Sequence, residues 1–287
     1  MSDVLTGSPI TAAERRTLRH PGERPALVIA GVLMVLTFLL VVLVLVALPI
    51  GGEQGEDVTA LLDEVGLALL LPISLIFIRG MRRAEPRARG AAITAEQYPQ
   101  LHEMIVAASK AMGLKRVPKA YLVADPSIEP CRKDYGMRSV VVIGTDFFAG
   151  CRENDQWEAM RFMVAHEVGH IAAGHGSYLR MMLTAMLVDV PVLGGVITRP
   201  QEYTADAYAR RLHPEGGLRA VAAVATGKDN FPYVEAETMK EEATKRVGFF
   251  LWWTNLAGGH PIIPWRIHAL VTPGAKGRVV WPPRAKG

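Results

Sequence analysis

From Ala26 to Ile50 the chain runs for 25 residues without a single charge, and this stretch limits the fold more than any other feature. As a helix it would be about 37 Å long, more than the ~30 Å hydrocarbon core of a bilayer, so it reads as a membrane span with room to tilt. A cleaved leader would have a shorter apolar stretch and begin nearer the first residue, so a retained anchor is expected. A second apolar stretch, Val58 to Ile78, is interrupted early by Asp63 and Glu64. Its strictly uncharged part, Val65 to Ile78, would by itself suit a buried core helix. The short loop Gly51 to Asp57 favours instead a transmembrane hairpin with spans at about 26–50 and 58–78.

Charge sets the expected orientation. Arg15, Arg16, Arg19 and Arg24 precede the first span, and Arg79, Arg82, Arg83, Arg87 and Arg89 follow the second, while the loop between carries only Glu53, Glu56 and Asp57. Arginine flanks stay on the cytoplasmic side. The expectation is a multi-pass protein of the cell membrane, with the N-terminal segment 1–25, a basic linker 79–93 and everything beyond it cytoplasmic, and with the lipid bilayer as a partner. The net charge of +4 and pI near 9.1 come from these flanks rather than from a basic face interleaved with aromatics, so no nucleic acid partner is expected. Cys131 and Cys151 have neither zinc spacing nor a disulfide framework, and read as structural thiols in a reducing compartment.

The rest reads as an α+β, mainly helical domain over 94–272 with a small β-sheet. Thr94 to Met112 reads as a helix closed by Gly113, with Pro99 near its first turn. Lys119 to Ala124 and Ser139 to Ile143 read as strands, separated by the turn-prone Asp125 to Gly136. A helix follows, capped by Asn154 or Asp155 with Glu158 completing a capping box, carrying Trp157, Met160, Val164, Val168 and Ile171 at helical spacing and ending near Gly174 and Gly176. Glu158, Arg161 and Glu167 make it amphipathic, which argues against a site inside the membrane. Met181 to Thr198, broken by Asp189, Pro191 and Gly194-Gly195, reads as a core helix and loop in preference to a membrane-dipping hairpin. Helices are expected over Gln201 to Leu212, Gly217 to Thr226 and Val234 to Leu256. The last carries Phe249, Phe250, Trp252 and Trp253, read as core with a bilayer contact as the alternative. The tail 273–287 reads as disordered.

The chemistry sits in His166-Glu167-Val168-Gly169-His170, an H-E-x-x-H pattern. Residues four apart share a helix face, so His166 and His170 can aim two imidazoles at one tetrahedral metal, with Glu167 beside the open position. A catalytic zinc wants a third protein ligand. His175 would lie roughly 140° off that face if the helix continued, and the extended H-E-x-x-H-x-x-G-x-x-H pattern fails at Ala173 and Gly176. Glu202-Tyr203-Thr204-Ala205-Asp206 is the stronger source, with two carboxylates one turn apart: Glu202 to bind metal, and the other to orient a ligand imidazole.

With H-E-V-G-H, E-Y-T-A-D and a later H-P-I-I-P-W-R, the chain resembles the HtpX-like zinc metallopeptidases, a gluzincin family that also includes the CaaX prenyl proteases, from about Glu96 to Leu270. The resemblance implies a gluzincin-like domain with Zn²⁺ held by His166, His170 and Glu202, Glu167 as general base, and Asp206 supporting a ligand. His260 and Arg266, six apart, would stabilise the oxyanion. Where the family carries Asn-Ala-Phe on its substrate-binding edge, this chain reads about Glu129-Pro130-Cys131, and proline cannot donate to a docked peptide. The implied activity is that of a membrane-anchored zinc endopeptidase acting on unfolded or membrane-derived polypeptides. Zinc would bring its water to a pKa of roughly 7, and Glu167 would take the proton. The alternative is a non-catalytic membrane adaptor or holdase in which zinc only ties helices together.

Overall fold

The computed structural model describes residues 8–47, 55–124, 131–134, 139–185 and 187–283. A short helix α1 (Ala12–Leu18), closed by a capping box between Thr11 and Glu14, leads into α2 (Glu23–Ala47). The window Glu23–Leu43 of α2 is long and apolar enough to cross a membrane, with a mean hydropathy of 3.1 and most of its length unburied. Helix α3 (Gly55–Arg89) follows. The sequence 79–93, expected as a linker, is instead the end of α3 and a strand β1 (Ala91–Ile93). Arg79 is buried there, donating to the Gly176 carbonyl at 2.8 Å. A side chain on α3 thus acquires a partner far along the chain, which local composition does not announce.

Helix α4 (Pro99–Ala111) begins at its proline, later than the expected Thr94, because Pro needs no intrahelical donor partner at the first position. Strands β2 (Lys119–Val123) and β4 (Val140–Gly144) pair in parallel, β1 is antiparallel to β2, and β3 (Cys131–Asp134) is antiparallel to β4, giving the order β1-β2-β4-β3. The sequence Cys131-Arg132-Lys133-Asp134 has no β-rich pattern and was expected as turn. Its pairing to the buried β4 supplies what propensity lacks. Glu129 and Pro130, expected at a substrate edge, lie outside the described residues.

Helix α5 (Thr145–Glu153), not expected, occupies the interval before α6 (Trp157–Ala173). The expected cap also differs. Gln156 is the N-cap, Asp155 adopts φ 53°, and Asn154 turns back to the Gly150 carbonyl at the end of α5. The expected C-terminus at Gly174 is observed, in left-handed conformation with φ 74°.

Helix α6 is not amphipathic. Met160, Phe162, Val164, Ala165 and Val168 are all fully buried, and the helix is enclosed by α4, α8 (Leu193–Leu212), α9 (Gly216–Thr226) and the sheet. A helix buried on nearly every side belongs in a core. Each such large apolar side chain contributes roughly 1.5–3 kcal/mol on burial. Two of its charges, Glu158 and Arg161, pair near its exposed N-terminal end, while Glu167 is buried.

Between α6 and α8 lies α7 (Tyr178–Thr184). Ile197, Val196 and Leu187 pack on Ala26 and Ala30 of α2. Helix α8 starts eight residues before the expected Gln201 and runs through Pro200. The remaining expected helix, Val234 to Leu256, is two: α10 (Ala236–Lys245) and α11 (Phe249–Ala257), broken at Gly248, whose φ of 143° L side chains rarely adopt. Phe249, Phe250 and Trp253 are exposed rather than core. Helix α12 (Ile263–Val271) closes the fold.

The tail is also ordered as far as it is described. Trp281 stacks on Trp252 at 5.8 Å, Tyr203 donates to the Arg278 carbonyl, and Trp252 and Asn255 donate to the Val280 and Val279 carbonyls. Segment 273–283 cannot bury itself, but α8 and α11 provide the apolar surface and the donors.

Candidate metal centre

Helices α6 and α8 are close neighbours in the core, and Gly169 lets them come close. A β-carbon there would meet Tyr208 Cβ at 3.4 Å and Ala205 at 3.5 Å. This approach brings Glu202 over the face of α6 that carries both histidines. His166 Nε2 lies 3.1 Å from His170 Nε2, Glu202 Oε2 lies 3.4 Å from His166 Nε2, and Glu202 Oε1 lies 3.3 Å from His170 Nε2.

All three residues are buried, and they form a group able to hold a metal ion. Tetrahedral zinc with bonds of about 2.0–2.1 Å spaces its ligand atoms roughly 3.3 Å apart. The observed separations match that edge length, so the donor set fits zinc in both chemistry and spacing. Glu202, the expected third member, is thus brought to the two histidines.

The other expected residues divide. Asp206 Oδ1 accepts from His166 Nδ1 at 2.8 Å, on the side of the ring away from the cluster. Arg266 donates to the same carboxylate through Nε at 2.7 Å and through Nη2 at 2.8 Å, and its Nη2 lies 3.4 Å from His166 Nδ1. Arg266 therefore lies behind His166 and grips Asp206 through both Nε and Nη2. His260 stands on the rim, 54% exposed along its side chain, with Nε2 3.8 Å from Glu202 Oε1. Glu167 is 4% exposed on α6.

Electrostatics follows from this packing. Burial alone would raise the Asp206 pKa, but the Arg266 charge and the contact with His166 hold it below the usual carboxylate range. Burial would lower His166, yet its hydrogen bonds to the Asp206 and Glu202 carboxylates bring it up to about 9.

Several residues that shape the centre escape sequence reading. Arg199 of α8 is fully buried and donates to the carbonyls of Asn255 and, at 3.1 Å, Gly258. Asn255 in turn accepts from the Ile262 N–H at 3.2 Å, and Thr198 donates to the Gly259 carbonyl. Together they pin the loop that carries His260. His175 was set aside by extending the helix past it. The glycine stop at Gly174, already visible in the sequence, ends the helix and folds His175 back until its Nδ1 lies 2.8 Å from His170 Nδ1. Glu23, at the start of α2, reaches this same cluster, with no local signal to announce it.

No family model matches this chain, and no curated protein matches it.

One prediction concerns the helix contact. Gly169→Ala just fits at 3.4–3.5 Å and should leave zinc affinity and melting temperature near wild type. Gly169→Leu should force α8 away, costing about 1–3 kcal/mol by overpacking and weakening zinc binding. Equal behaviour of the two variants in melting and metal titration would refute the close-approach argument.

Proposed function

We propose that the protein is a membrane-anchored zinc endopeptidase of the HtpX-like kind, acting on unfolded or membrane-derived polypeptides at the cytoplasmic face. The observation that supports this reading most is the spacing of His166, His170 and Glu202, whose donor atoms stand a tetrahedral edge apart, with Glu167 on the same helix. A zinc ion held there would supply a Lewis acid that acidifies water and polarises a carbonyl. Glu167 accepts the proton of the attacking water on its carboxylate and returns it to the leaving amide nitrogen. His260, on the exposed rim, donates to the oxygen that gains charge. Asp206, clamped by Arg266, keeps the His166 proton on Nδ1 and its lone pair on Nε2.

Substrate alignment has a candidate element as well. β3 closes the sheet at one end, beside α6, and its outer edge has no strand partner among the described residues. An extended peptide can add to such an edge, with backbone hydrogen bonds holding it next to the metal helix. Sequence-tolerant docking of this sort suits unfolded chains.

The test is direct. Full-length protein loaded with zinc should cleave an unfolded casein-type substrate, and a chelator should stop it. Zinc-loaded protein that cleaves nothing across a broad peptide library, yet retains unfolded clients, would instead establish the adaptor or holdase reading, for which the exposed Phe249, Phe250 and Trp253 offer a surface.

Helices α2 and α3 are taken as a hairpin spanning the membrane, with both arginine flanks inside. A reporter fused after Arg89 should therefore score as cytoplasmic in cells. An external signal from that fusion would overturn the orientation.

A further inference from the structure

The two ligand histidines are supported differently. To present a lone pair at Nε2, each must keep its proton on Nδ1 and give it to an acceptor. For His166 the acceptor is the Asp206 carboxylate. For His170 it is another imidazole, His175, with the two Nδ1 atoms 2.8 Å apart. Since His170 holds the proton, His175 Nδ1 accepts it, and the proton of His175 resides on Nε2. That atom lies 3.2 Å from Glu23 Oε1. The contacts thus run in series: His170 meets His175 through the two Nδ1 atoms, and the far nitrogen of His175 lies within ion-pair distance of the Glu23 carboxylate.

Glu23 belongs to the first turn of α2 and is 1% exposed. Its carboxylate also meets Arg180 at 3.3 Å, Arg19 at 3.7 Å and the Thr204 hydroxyl on α8. Burying a carboxylate costs several kcal/mol unless it is well paired, and a helix serving only as a hydrophobic anchor has no use for one at this depth.

We propose that Glu23 and His175 are positioning residues of the metal centre: the anchor helix supplies the carboxylate that, through His175, orients His170 and raises its basicity. The proposal rests on the reading of His166, His170 and Glu202 as a zinc site. It implies that the site is complete only while α2 is docked, so that seating of the anchor and competence for metal are coupled.

The experiment uses full-length protein in detergent, with zinc affinity measured by competition against a chromophoric chelator and ligand geometry read from the visible absorption of the cobalt-substituted form. Glu23→Gln and His175→Gln should each weaken zinc binding by about 10–100-fold and shift the cobalt bands, with Glu23→Asp restoring part of the affinity. Arg180→Gln removes a partner of Glu23 but no member of the proton chain, and should stay within about threefold of wild type. Wild-type affinity and an unshifted spectrum in both Gln variants would overturn the proposal. So would an Arg180→Gln loss as large as theirs, since docking of α2 alone would then explain everything. Should Glu23→Gln fail to fold, His175→Gln decides by itself, as it leaves the Glu23 pairs with Arg180 and Arg19 in place. Wild-type protein that takes up no zinc sinks the metal centre itself, whereas zinc-binding wild type matched by its variants sinks only the relay.

Discussion

Glu202→Ala should reduce bound zinc from about one equivalent per chain to background after dialysis against a weak chelator, because two imidazoles alone do not retain the metal. The loss should also appear in stability. Free zinc at about a thousand times its dissociation constant would stabilise the wild type by roughly 4 kcal/mol. In a protein of this size that corresponds to a rise in melting temperature of roughly 10 °C. The variant should show no zinc-dependent rise. Among the described residues, the Glu202 carboxylate is the one member of the candidate group that α8 contributes, and it contacts both imidazoles, at 3.4 and 3.3 Å. Stoichiometric zinc in purified Glu202→Ala would mean that the third ligand lies elsewhere and would remove the proposed centre.

Glu167→Gln should lower kcat for peptide hydrolysis by about 10²–10⁴-fold, the usual scale for removing a general base, which is about 3–5 kcal/mol of barrier. Zinc content and substrate KM should change little, since the amide keeps the shape of the side chain and is not a ligand. This split separates the proton-transfer role from a structural one. Glu167 is buried in α6, so an alanine at this position would confound the two by opening a cavity. Turnover at the wild-type rate by a zinc-loaded Gln variant would leave the metal site standing and the hydrolytic mechanism without its base.

Much of the candidate metal centre is legible because its parts are local. His166 and His170 are one helical turn apart, as are Glu202 and Asp206, and helix periodicity aligns each pair without reference to the rest of the chain. The glycine stop at Gly174 was equally local. Reading failed where a residue's partner comes from far away. His175 looked misdirected only while α6 was extended through it. Arg266 finds Asp206 sixty residues away, holding it through Nε and Nη2. The aromatic run of α11 reads as core in sequence, yet the chain breaks at Gly248 and leaves Phe249 and Phe250 exposed. Segment 273–283 has no periodicity of its own, and its order comes from Trp252, Asn255 and Tyr203.

Sequence by itself determined the long apolar helix, the two histidines on one face and the carboxylate pair meant for them, since charge exclusion and a 3.6-residue period are properties of short stretches. Only the tertiary structure decided that α6 is buried along most of its length, that Arg266 backs His166, and that Glu23 of the apolar helix reaches α6 through His175. Those outcomes depend on which surfaces cover one another across more than a hundred residues, and burial, which sets both the cost of a charge and its choice of partner, exists only once the chain has packed.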